Sequence, residues 1–303
     1  MDMVLSVENA EKYYGREPNL KKALDRVDFE VSAGEFVSIM GFSGSGKTTL
    51  LNYISTIDTI DAGHIYLGSQ DLASLPQQKS ARFRQENLGF IFQDFNLLDT
   101  LSIEENIALP LAIKDIPAKE IKSTVRSLMQ RLGIEDIAAK FPAQVSGGQK
   151  QRCACARAFV NKPRLVLADE PTGALDSVSA RQLLALLTEL NGQEKATVLM
   201  VTHDPLSASY GNRVLFLKDG QINKELRRVR QSRVDFYHTE QFPLQFGDQI
   251  LIFDDVVPVV ASNMDSIYVF IRDGYGIADK ENGLGGSPPD VIVTGTDIPF
   301  GKV

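Results

Sequence analysis

The chain of 303 residues has no tryptophan, only two cysteines and three histidines. Cys153 and Cys155 lie two residues apart, and no second pair exists to complete a metal site. This spacing points them to different sides of a helix. We therefore predict that both are small hydrophobic residues in a reducing compartment, without a redox role.

Long hydrophobic runs are also absent. No stretch approaches the roughly 18 apolar residues that a membrane-spanning helix needs. The segment MDMVLSVENAEK at the amino terminus does not have the basic and then apolar order of a secretion signal. We therefore expect a chain that stays in the cytoplasm, and its 43% apolar and 23% charged residues are typical of a soluble globular protein.

The negative charge is confined to one end of the chain. The net charge is −7, but residues 1–233 hold 29 basic and 28 acidic residues, whereas residues 234–303 hold 3 and 11. This shift, together with the stretch GLGGSPP, predicts a boundary near residue 233 and an acidic carboxyl-terminal extension over 234–303. Neither part is basic enough to indicate a nucleic-acid-binding protein, so we expect no nucleic-acid partner.

Two kinds of apolar pattern predict two kinds of strand. Runs without alternation predict strands buried on both faces, as in a parallel sheet covered by helices; they span 36–40, 88–92, 165–168 and 197–201. Alternating runs predict antiparallel strands exposed on one face; they span 4–9, 24–31 and 63–68. The sequence therefore predicts an α/β core with an antiparallel β subdomain.

The segments between and after these strands complete the predicted architecture. Helical spacing from about 102 to 160 indicates a helical insertion, assigned to about 97–160. Residues 214–222 are predicted to form the last core strand. The basic segment that follows is interpreted as a solvated helix end, and it contains Arg227, Arg228, Arg230 and Arg233. Apolar runs within 234–303 predict a β-rich extension, either a regulatory module or one that packs poorly.

A glycine-rich loop follows the first of the buried strands. The segment GFSGSGKTT matches G-x-x-x-x-G-K-[ST] and enters an apolar helical stretch, in the order that a phosphate-binding loop requires. Its glycines let backbone N–H groups face phosphate oxygens, and the helix N-terminus favours the same negative charge. Lys47 is expected to neutralise the β and γ phosphates, and Thr48 to ligate Mg²⁺. The predicted nucleotide-binding positions are Gly41, Ser43, Gly44, Ser45, Gly46, Lys47, Thr48 and Thr49.

Two later strands end in acidic and imidazole groups. Asp169 and Glu170 follow a buried strand, at the end where parallel sheets usually bind ligands. We expect Asp169 to hold Mg²⁺ opposite Thr48 and Glu170 to take the proton of the attacking water. His203 closes the strand TVLMVTH, from which its imidazole could help orient water and base.

One segment between the loop and the carboxylates is specific to a family. VSGGQKQR, at 145–152, resembles the signature of ABC-type ATPases, and the similarity extends over residues 4 to about 226. The resemblance implies a P-loop NTPase fold and hydrolysis of ATP. It also implies that Tyr14 stacks on adenine and that Gln93 joins Mg²⁺ to a transmembrane partner. Asp176 resembles the D-loop residue, and His203 the switch histidine.

The resemblance further implies an assembly of two chains. In this family the signature contacts the γ-phosphate of the ATP bound to the opposite subunit, so that two copies bind two ATP molecules head to tail. The signature positions are Ser146, Gly147, Gly148 and Gln149. They begin a predicted helix, whose exposed N–H groups suit an anion. The homodimer would drive a separate membrane permease and lie on the inner face of the cell membrane.

Longer phrases narrow the resemblance within the family. IMGFSGSGKTTLLN and ADEPTGALDS are similar to the group of bacitracin- and lantibiotic-resistance, lipoprotein-release, macrolide-efflux and cell-division ATPases. NLLDTL and MVTHDPLSASYGNRV favour the bacitracin-resistance branch. A second hypothesis, an ABC ATPase acting on nucleic acid or ribosomes, usually requires a long coiled-coil insertion or two ATPase units. A third, in which nucleotide is only a structural switch, is disfavoured by Glu170 and His203.

Overall fold

The computed structural model describes residues 2–15, 21–114 and 116–228, together with five short strands within 237–284. The strands up to residue 228 are β1 (Met3–Tyr14), β2 (Lys21–Ser32), β3 (Phe36–Met40), β4 (Ala62–Leu67), β5 (Gln70–Asp71), β6 (Leu88–Ile91), β7 (Leu165–Asp169), β8 (Thr197–Thr202), β9 (Arg213–Lys218) and β10 (Gln221–Arg228). The helices are α1 (Lys47–Ile54), α2 (Gln77–Asn87), α3 (Ile103–Ala112), α4 (Ala118–Arg131), α5 (Gly147–Phe159), α6 (Ser177–Glu194) and α7 (Pro205–Ala208).

A seven-stranded sheet forms the centre of the α/β core. Its order is β11-β10-β9-β3-β8-β7-β6, where β11 is Tyr237–His238, and the five strands from β9 to β6 are parallel. Every residue of β3 and β8 is buried, which confirms that runs without alternation are covered on both faces. Because these strands are parallel, their carboxyl ends meet at one edge, where the predicted site residues follow them.

A separate antiparallel sheet has the order β2-β1-β4-β5. The antiparallel strands predicted at 4–9, 24–31 and 63–68 are confirmed, since β1, β2 and β4 pair in antiparallel register. Burial does not alternate throughout β1, where Leu5, Ser6 and Val7 are all buried. The apolar face of this sheet shares one buried cluster with α1 and with one face of the central sheet, including Val7, Leu24, Ile39 and Leu50. Tyr14, the last residue of β1, is thereby brought toward the start of α1.

The helical insertion is confirmed between β6 and β7. It contains α3, α4, two short 3₁₀ helices at Glu135–Ile137 and Pro142–Gln144, and α5. Ser102 caps α3, because its hydroxyl accepts the backbone N–H of Glu105 while the Glu105 carboxylate accepts the backbone N–H of Ser102. Along α4, Val125, Leu128 and Met129 are buried, as the helical spacing predicts. The domain division at residue 233 stays a prediction.

The two cysteines lie in the middle of α5. Both side chains are fully buried, so the expectation of small hydrophobic residues agrees with their surroundings. Cys153 Sγ lies 3.7 Å from the carbonyl oxygen of Ile103. Burial raises the pKa of the Cys153 thiol to about 12 and also raises the pKa of Cys155, so neither is a thiolate at neutral pH.

Two predictions for the last strands of the core are wrong. Residues 214–222 do not form one strand: β9 and β10 are a hairpin, which turns at Asp219 and Gly220 with φ of 49° and 79°. Two successive residues of positive φ suit the right-handed twist of a tight hairpin. The interpretation as a helix end is also wrong for Arg227 and Arg228, because both belong to β10, where Arg227 pairs with Arg213 of β9 and Arg228 with Tyr237 of β11.

Most of the predictions for the tail concern residues that the structure does not describe. Arg230 and Arg233 lie outside the described residues, as does most of 234–303. Beyond β11 the described strands are β12 (Gln245–Phe246), β13 (Gln249–Leu251), β14 (Ile277–Asp279) and β15 (Gly283–Leu284), paired antiparallel in that order. Among the residues that the structure describes, no helix has the length and apolar character needed to cross a membrane.

Candidate active site

The phosphate loop lies between β3 and α1 and depends on two glycines. A side chain at Gly41 would place Cβ 2.2 Å from the carbonyl oxygen of Leu217, and one at Gly46 would place it 2.6 Å from that of Ala23. Gly46 also has φ of 106°, a conformation that side chains rarely adopt. The hydroxyl of Ser45 is buried without a hydrogen-bond partner in the described structure. The loop is therefore a tight cradle with an unused polar group.

Lys47 begins α1 and turns its ammonium group back into the loop. Nζ donates hydrogen bonds to the carbonyl oxygens of Gly41 and Phe42, at 2.7 and 3.0 Å, and lies 3.9 Å from Oε1 of Glu170. Burial lowers the pKa of Lys47, while Glu170 and Asp169 oppose this shift. A buried cation held by carbonyl oxygens is placed to receive a stronger anion at the same position.

Glu170 lies at the turn after β7 and is the centre of the polar cluster. Its Oε2 is 2.9 Å from Nδ1 of His203 and also accepts the backbone N–H of His203 at 3.3 Å. The backbone of Glu170 has φ of 46°, which is strained for a non-glycine residue, and its N–H donates to Val201 of β8. The side chain of Glu170 is 15% exposed and that of His203 65%. The carboxylate is thus fixed while the imidazole stays accessible.

Asp169, the last residue of β7, is the second carboxylate at this edge. Its pKa is raised, first by burial and then by Glu170, while Lys47 lowers it. The two carboxylates and Lys47 therefore interact electrostatically although only one ammonium group serves both. Such an arrangement disfavours two negative charges in the protein alone, and it suits the addition of a cation.

Gln93 follows β6 and rests against the turn after Glu170. A Cβ at Gly173 would lie 3.0 Å from Cδ of Gln93 and 3.1 Å from its Nε2. The N–H of Gly173 donates to the carbonyl oxygen of Glu170, so this glycine closes the turn. The missing side chain at Gly173 therefore leaves the space that Gln93 occupies against the turn after Glu170.

Tyr14 stands at the opposite end of the site, on the antiparallel sheet. Its hydroxyl is 3.0 Å from the hydroxyl of Tyr53 in α1, while 44% of Tyr14 remains exposed. Nζ of Lys12 lies 5.6 Å from the Tyr14 ring centre and 5.3 Å from that of Tyr53. An exposed ring with an anchored hydroxyl is a suitable surface for stacking a base.

A single cavity of about 700 Å³ joins these groups. Its lining residues are Tyr14, Lys21, Ala23, Phe42, Ser43, Gly44, Gly46, Lys47, Thr48, Thr49, Gln93, Glu170 and His203. A larger cavity of about 910 Å³ lies where β7 and β8 begin, lined among others by Arg164 and Thr197, and none of the predicted site residues contributes to it. Predicted residues at the ends of five strands, β1, β3, β6, β7 and β8, therefore converge on one cavity.

The signature and D-loop residues form a second cluster outside that lining. The hydroxyl of Ser146 accepts the N–H of Gln149 at 3.3 Å, and Oε1 of Gln149 accepts the N–H of Ser146 at 3.0 Å, which is a capping box on α5. Asp176 caps α6 and accepts the Ser179 hydroxyl at 2.6 Å. A Cβ at Gly148 would lie 3.4 Å from that same hydroxyl.

Comparison with known proteins agrees with this arrangement. The family model described as "ABC transporter" matches residues 24–173. The chain is 50% identical over 234 residues to the bacitracin export ATP-binding protein of Halalkalibacterium halodurans, which is 77% of this chain and 92% of that protein. It is 41% identical to the lipoprotein-releasing system ATP-binding protein of Pseudoalteromonas translucida, over 75% of this chain and 99% of that one.

A solved structure carries the same fold. It is the dimeric post-hydrolysis state of the ATP-binding cassette MJ0796 bound to ADP and Pi, with a TM-score of 0.68 and 38% identity over 74% of this chain and 98% of the other. The chain belongs to the ABC transporter ATP-binding family. The predicted P-loop fold and the resemblance to this family are thus confirmed, and the protein is an ATP-binding, ATP-hydrolysing subunit.

Sequence reasoning missed three lining residues of this ABC ATPase. Phe42 lies inside the phosphate motif itself, so its place in the loop could have been found. Lys21 and Ala23 come from β2, and they reach the cavity because Tyr14 pairs with Lys21 across the sheet. No local motif marks such a contact, which depends on strand pairing. Asp169, Gly41 and Ser45 were predicted as site residues but do not line the cavity.

Proposed function

We propose that this ABC ATPase hydrolyses ATP at two composite sites of a homodimer and drives a separate membrane permease that exports bacitracin-like antimicrobial peptides. The observation that carries the catalytic part is the convergence of Lys47, Glu170 and His203 in one cavity. Nζ of Lys47 lies 3.9 Å from Oε1 of Glu170, and Nδ1 of His203 lies 2.9 Å from Oε2. The assignment of individual residues to steps is part of the proposal.

The loop binds the triphosphate. A phosphate in the cradle would receive the N–H groups around Gly44 and Gly46, and Lys47 would exchange its two carbonyl partners for phosphate oxygens. The unused hydroxyl of Ser45 supplies a further polar group at the same place. Tyr14 holds the base, about 1–3 kcal/mol being a typical contribution of base stacking.

Glu170 acts as the general base toward the attacking water. Its carboxylate is held by two hydrogen bonds from His203 and by the αL backbone, so it cannot turn away from the cavity. A proton taken from water by Glu170 neutralises the carboxylate, and the hydrogen bonds from His203 hold the carboxylate in position for that transfer. Gln93 orients the water or the phosphate from the other side of the cavity.

Three oxygen donors fit Mg²⁺ at this edge. Thr48 lines the cavity, Asp169 is a buried carboxylate with a raised pKa, and Gln93 offers an amide oxygen. Hard oxygen ligands and a small number of protein donors are what Mg²⁺ takes beside a triphosphate. When bound by these residues, the ion would supply positive charge to balance the phosphates of the nucleotide. The negative charge of Asp169 is disfavoured in the protein alone, so a bound cation would relieve this penalty most at Asp169.

The signature cluster is proposed to complete the site of a second copy. Ser146, Gly147, Gly148 and Gln149 begin α5, where helical N–H groups favour an anion, yet the cluster is absent from the lining of the cavity of its own chain. Asp176 lies beside it and would approach the same nucleotide. The dimeric structure of MJ0796 supports a dimer of this chain.

The export substrate is inferred from the relatives. Identity is 50% to the bacitracin export protein and 41% to the lipoprotein-releasing one, over similar lengths, and this difference favours the peptide substrate. The permease would hold the homodimer at the inner face of the cell membrane, with the substrate bound by the permease and not by this chain.

Three measurements test the proposal. Purified chain should turn over ATP only with Mg²⁺, and the membrane protein that co-purifies with it should be a permease. In the native host, disruption of the gene should increase sensitivity to bacitracin, and the wild-type chain, but not Glu170→Gln, should restore resistance. Normal bacitracin resistance combined with retained lipoproteins would instead favour the lipoprotein-release function.

A further inference from the structure

Two polar side chains of α5 reach across to the loop that contains Gln93. Gln151 and Arg157 are six residues apart on this helix, and both donate hydrogen bonds to backbone carbonyl oxygens of residues 92–96. The helix that begins with the signature therefore contacts the glutamine loop, defined here as residues 92–97, on both sides of Gln93.

Gln151 contacts the near side of this loop. Its side chain is fully buried, and Nε2 donates to the carbonyl oxygens of Pro171, at 2.8 Å, and Phe92, at 3.4 Å. Phe92 directly precedes Gln93, and Pro171 directly follows Glu170. Its Oε1 has no hydrogen-bond partner within the described structure. Burying an amide whose oxygen has no partner costs free energy, so packing alone does not explain a glutamine at this position. The two hydrogen bonds that Nε2 donates are the interaction that this residue supplies.

Arg157 contacts the far side. Its Nη2 donates to the carbonyl oxygen of Phe95 at 2.8 Å, and Nη1 donates to that of Asn96. Phe95 and Asn96 have φ of 61° and 47°, two successive left-handed residues without glycine. Such backbone persists only where its surroundings hold it. The planar fork of the guanidinium matches two adjacent carbonyl oxygens, which the single ammonium of lysine cannot do in the same geometry.

The consequence is a link between two nucleotide sites. Carbonyl oxygens at 92, 95 and 96 enclose Gln93 on both sides, so the position of Gln93 must follow any displacement of α5. We infer that Gln151 and Arg157 are positioning residues that couple the partner's nucleotide, bound at Ser146, to the position of Gln93 in the chain's own cavity. This inference rests on the proposed function, because it uses the roles given there to Ser146 and Gln93.

The test is a pair of double-mutant cycles in the full chain. Arg157→Lys and Gln151→Met are each made alone and combined with Gln93→Ala, and kcat, KM for ATP and the unfolding temperature are measured for all. Each single variant should lower kcat by roughly 10- to 100-fold, the range expected for misplaced groups, with KM nearly unchanged. In the Gln93→Ala background neither should lower kcat further, since residues that act through one group are not additive.

A matched control separates positioning from loss of packing. Arg213 is a buried arginine whose guanidinium donates to Glu30 and Glu35, outside the site, so Arg213→Lys makes the same chemical change elsewhere. It should lower the unfolding temperature and leave kcat unchanged. If Arg157→Lys does not fold, Gln151→Met tests the same link through its own cycle.

The outcomes are distinguishable. The coupling would be overturned if the kcat loss of either α5 variant multiplied with that of Gln93→Ala. It would also be overturned if Arg213→Lys lost as much kcat as the α5 variants. In both cases the proposed function would stand. A Gln93→Ala variant with wild-type kcat would overturn both the coupling and the role of Gln93. Wild-type kcat in both α5 variants, with Gln93→Ala impaired, would also reject the coupling.

Discussion

Nδ1 of His203 lies 2.9 Å from Oε2 of Glu170, and the backbone N–H of the same histidine donates to that oxygen at 3.3 Å. The two residues follow neighbouring parallel strands, and Oε1 of Glu170 faces Lys47 at 3.9 Å. One carboxylate thus receives a directed hydrogen bond on one oxygen and a cation near the other. Its orientation is fixed by groups from two other segments of the chain, the end of β8 and the start of α1.

The first prediction concerns Glu170 as the base. Glu170→Gln should slow hydrolysis by roughly 10²- to 10⁴-fold, the usual contribution of a general base, while ATP binding survives because the amide keeps the shape of the carboxylate. Turnover and equilibrium ATP binding are measured together. Glu189→Gln, an exposed change on α6, is the control and should have wild-type turnover. Equal rates for Glu170→Gln and the control would assign the base elsewhere.

The second prediction concerns the signature. Ser146→Ala should abolish turnover and leave ATP affinity of the isolated monomer nearly unchanged, whereas Lys47→Ala should weaken that affinity. Ser102→Ala removes the same kind of capping box from α3, so both serine variants lose about 1 kcal/mol of stability. Only Ser146→Ala should lose activity.

Mixing the Ser146 and Lys47 variants refines this test. Each mixed dimer would contain one composite site with both groups intact, so part of the turnover should return, as measured by titrating one variant into the other. If Ser146→Ala weakened monomer binding as much as Lys47→Ala, the nucleotide site would be built within one chain.

The third prediction concerns the pH dependence of stability through Asp169. Its pKa is raised by burial and by Glu170, so above its usual value of 3.8 the folded chain binds more protons than the unfolded chain. The free energy of unfolding therefore falls as pH rises through this window. Asp169→Asn removes the penalty and should raise the unfolding temperature at pH 7, with no difference below about pH 4.

The same variant tests the proposed Mg²⁺ ligand. MgATP should stabilise the wild-type chain more than ATP with a chelator, because a ligand that binds only the folded state raises its stability. Asp169→Asn should lose most of this difference. The exposed variant Asp136→Asn serves as the control. An Asp169→Asn chain that is less stable at pH 7 and keeps the full Mg²⁺ effect would contradict both assignments.

The fourth prediction concerns the base. Tyr14→Ala should raise KM for ATP by roughly 5- to 150-fold, corresponding to the 1–3 kcal/mol of base stacking, with little change in kcat. Tyr14→Phe keeps the ring and should retain most of the affinity. Tyr13→Ala is the matched control, since the Tyr13 hydroxyl contacts Glu11 and Lys22 lies 5.2 Å from its ring centre, away from Tyr53. A larger effect at Tyr13 would place the base on that ring.

The fifth prediction concerns the tail. Deletion of residues 234–303 should leave a folded core that binds ATP and dimerises, because every predicted nucleotide motif lies before the cut. The deletion removes β11, which pairs with β10 at only two positions. Thermal unfolding of the shortened chain with and without MgATP checks this. A core that does not fold, or gains no stability from nucleotide, would show that the boundary near residue 233 is wrong.

The sequence predicted best those features that depend on residues adjacent in the chain. The phosphate loop, Asp169, Glu170 and His203 were found because each follows a strand whose apolar run is continuous in the chain. The strand predicted at 214–222 was wrong because the turn at Asp219 and Gly220 depends on backbone angles that apolar spacing does not report.

Other contacts could not be predicted because they join distant segments. Tyr53, which holds the hydroxyl of Tyr14, is 39 residues away from it, and Arg157 is 62 residues from Phe95. In the sequence, Tyr53 is one apolar residue of α1 and Arg157 one charge on a helix. Their roles follow from packing of β1 on α1 and of α5 on the loop after β6, which periodicity does not specify.

The base and the phosphates rest on different sheets. Tyr14 ends a strand of the four-stranded antiparallel sheet, and the loop at 41–46 follows a strand of the seven-stranded one; no strand pairing joins the two sheets in the described part of the chain. A nucleotide that occupies both places would therefore connect the two sheets. Its base would contact one sheet and its triphosphate the loop of the other, so the intact molecule would add a link between two sheets that otherwise meet through their shared buried cluster.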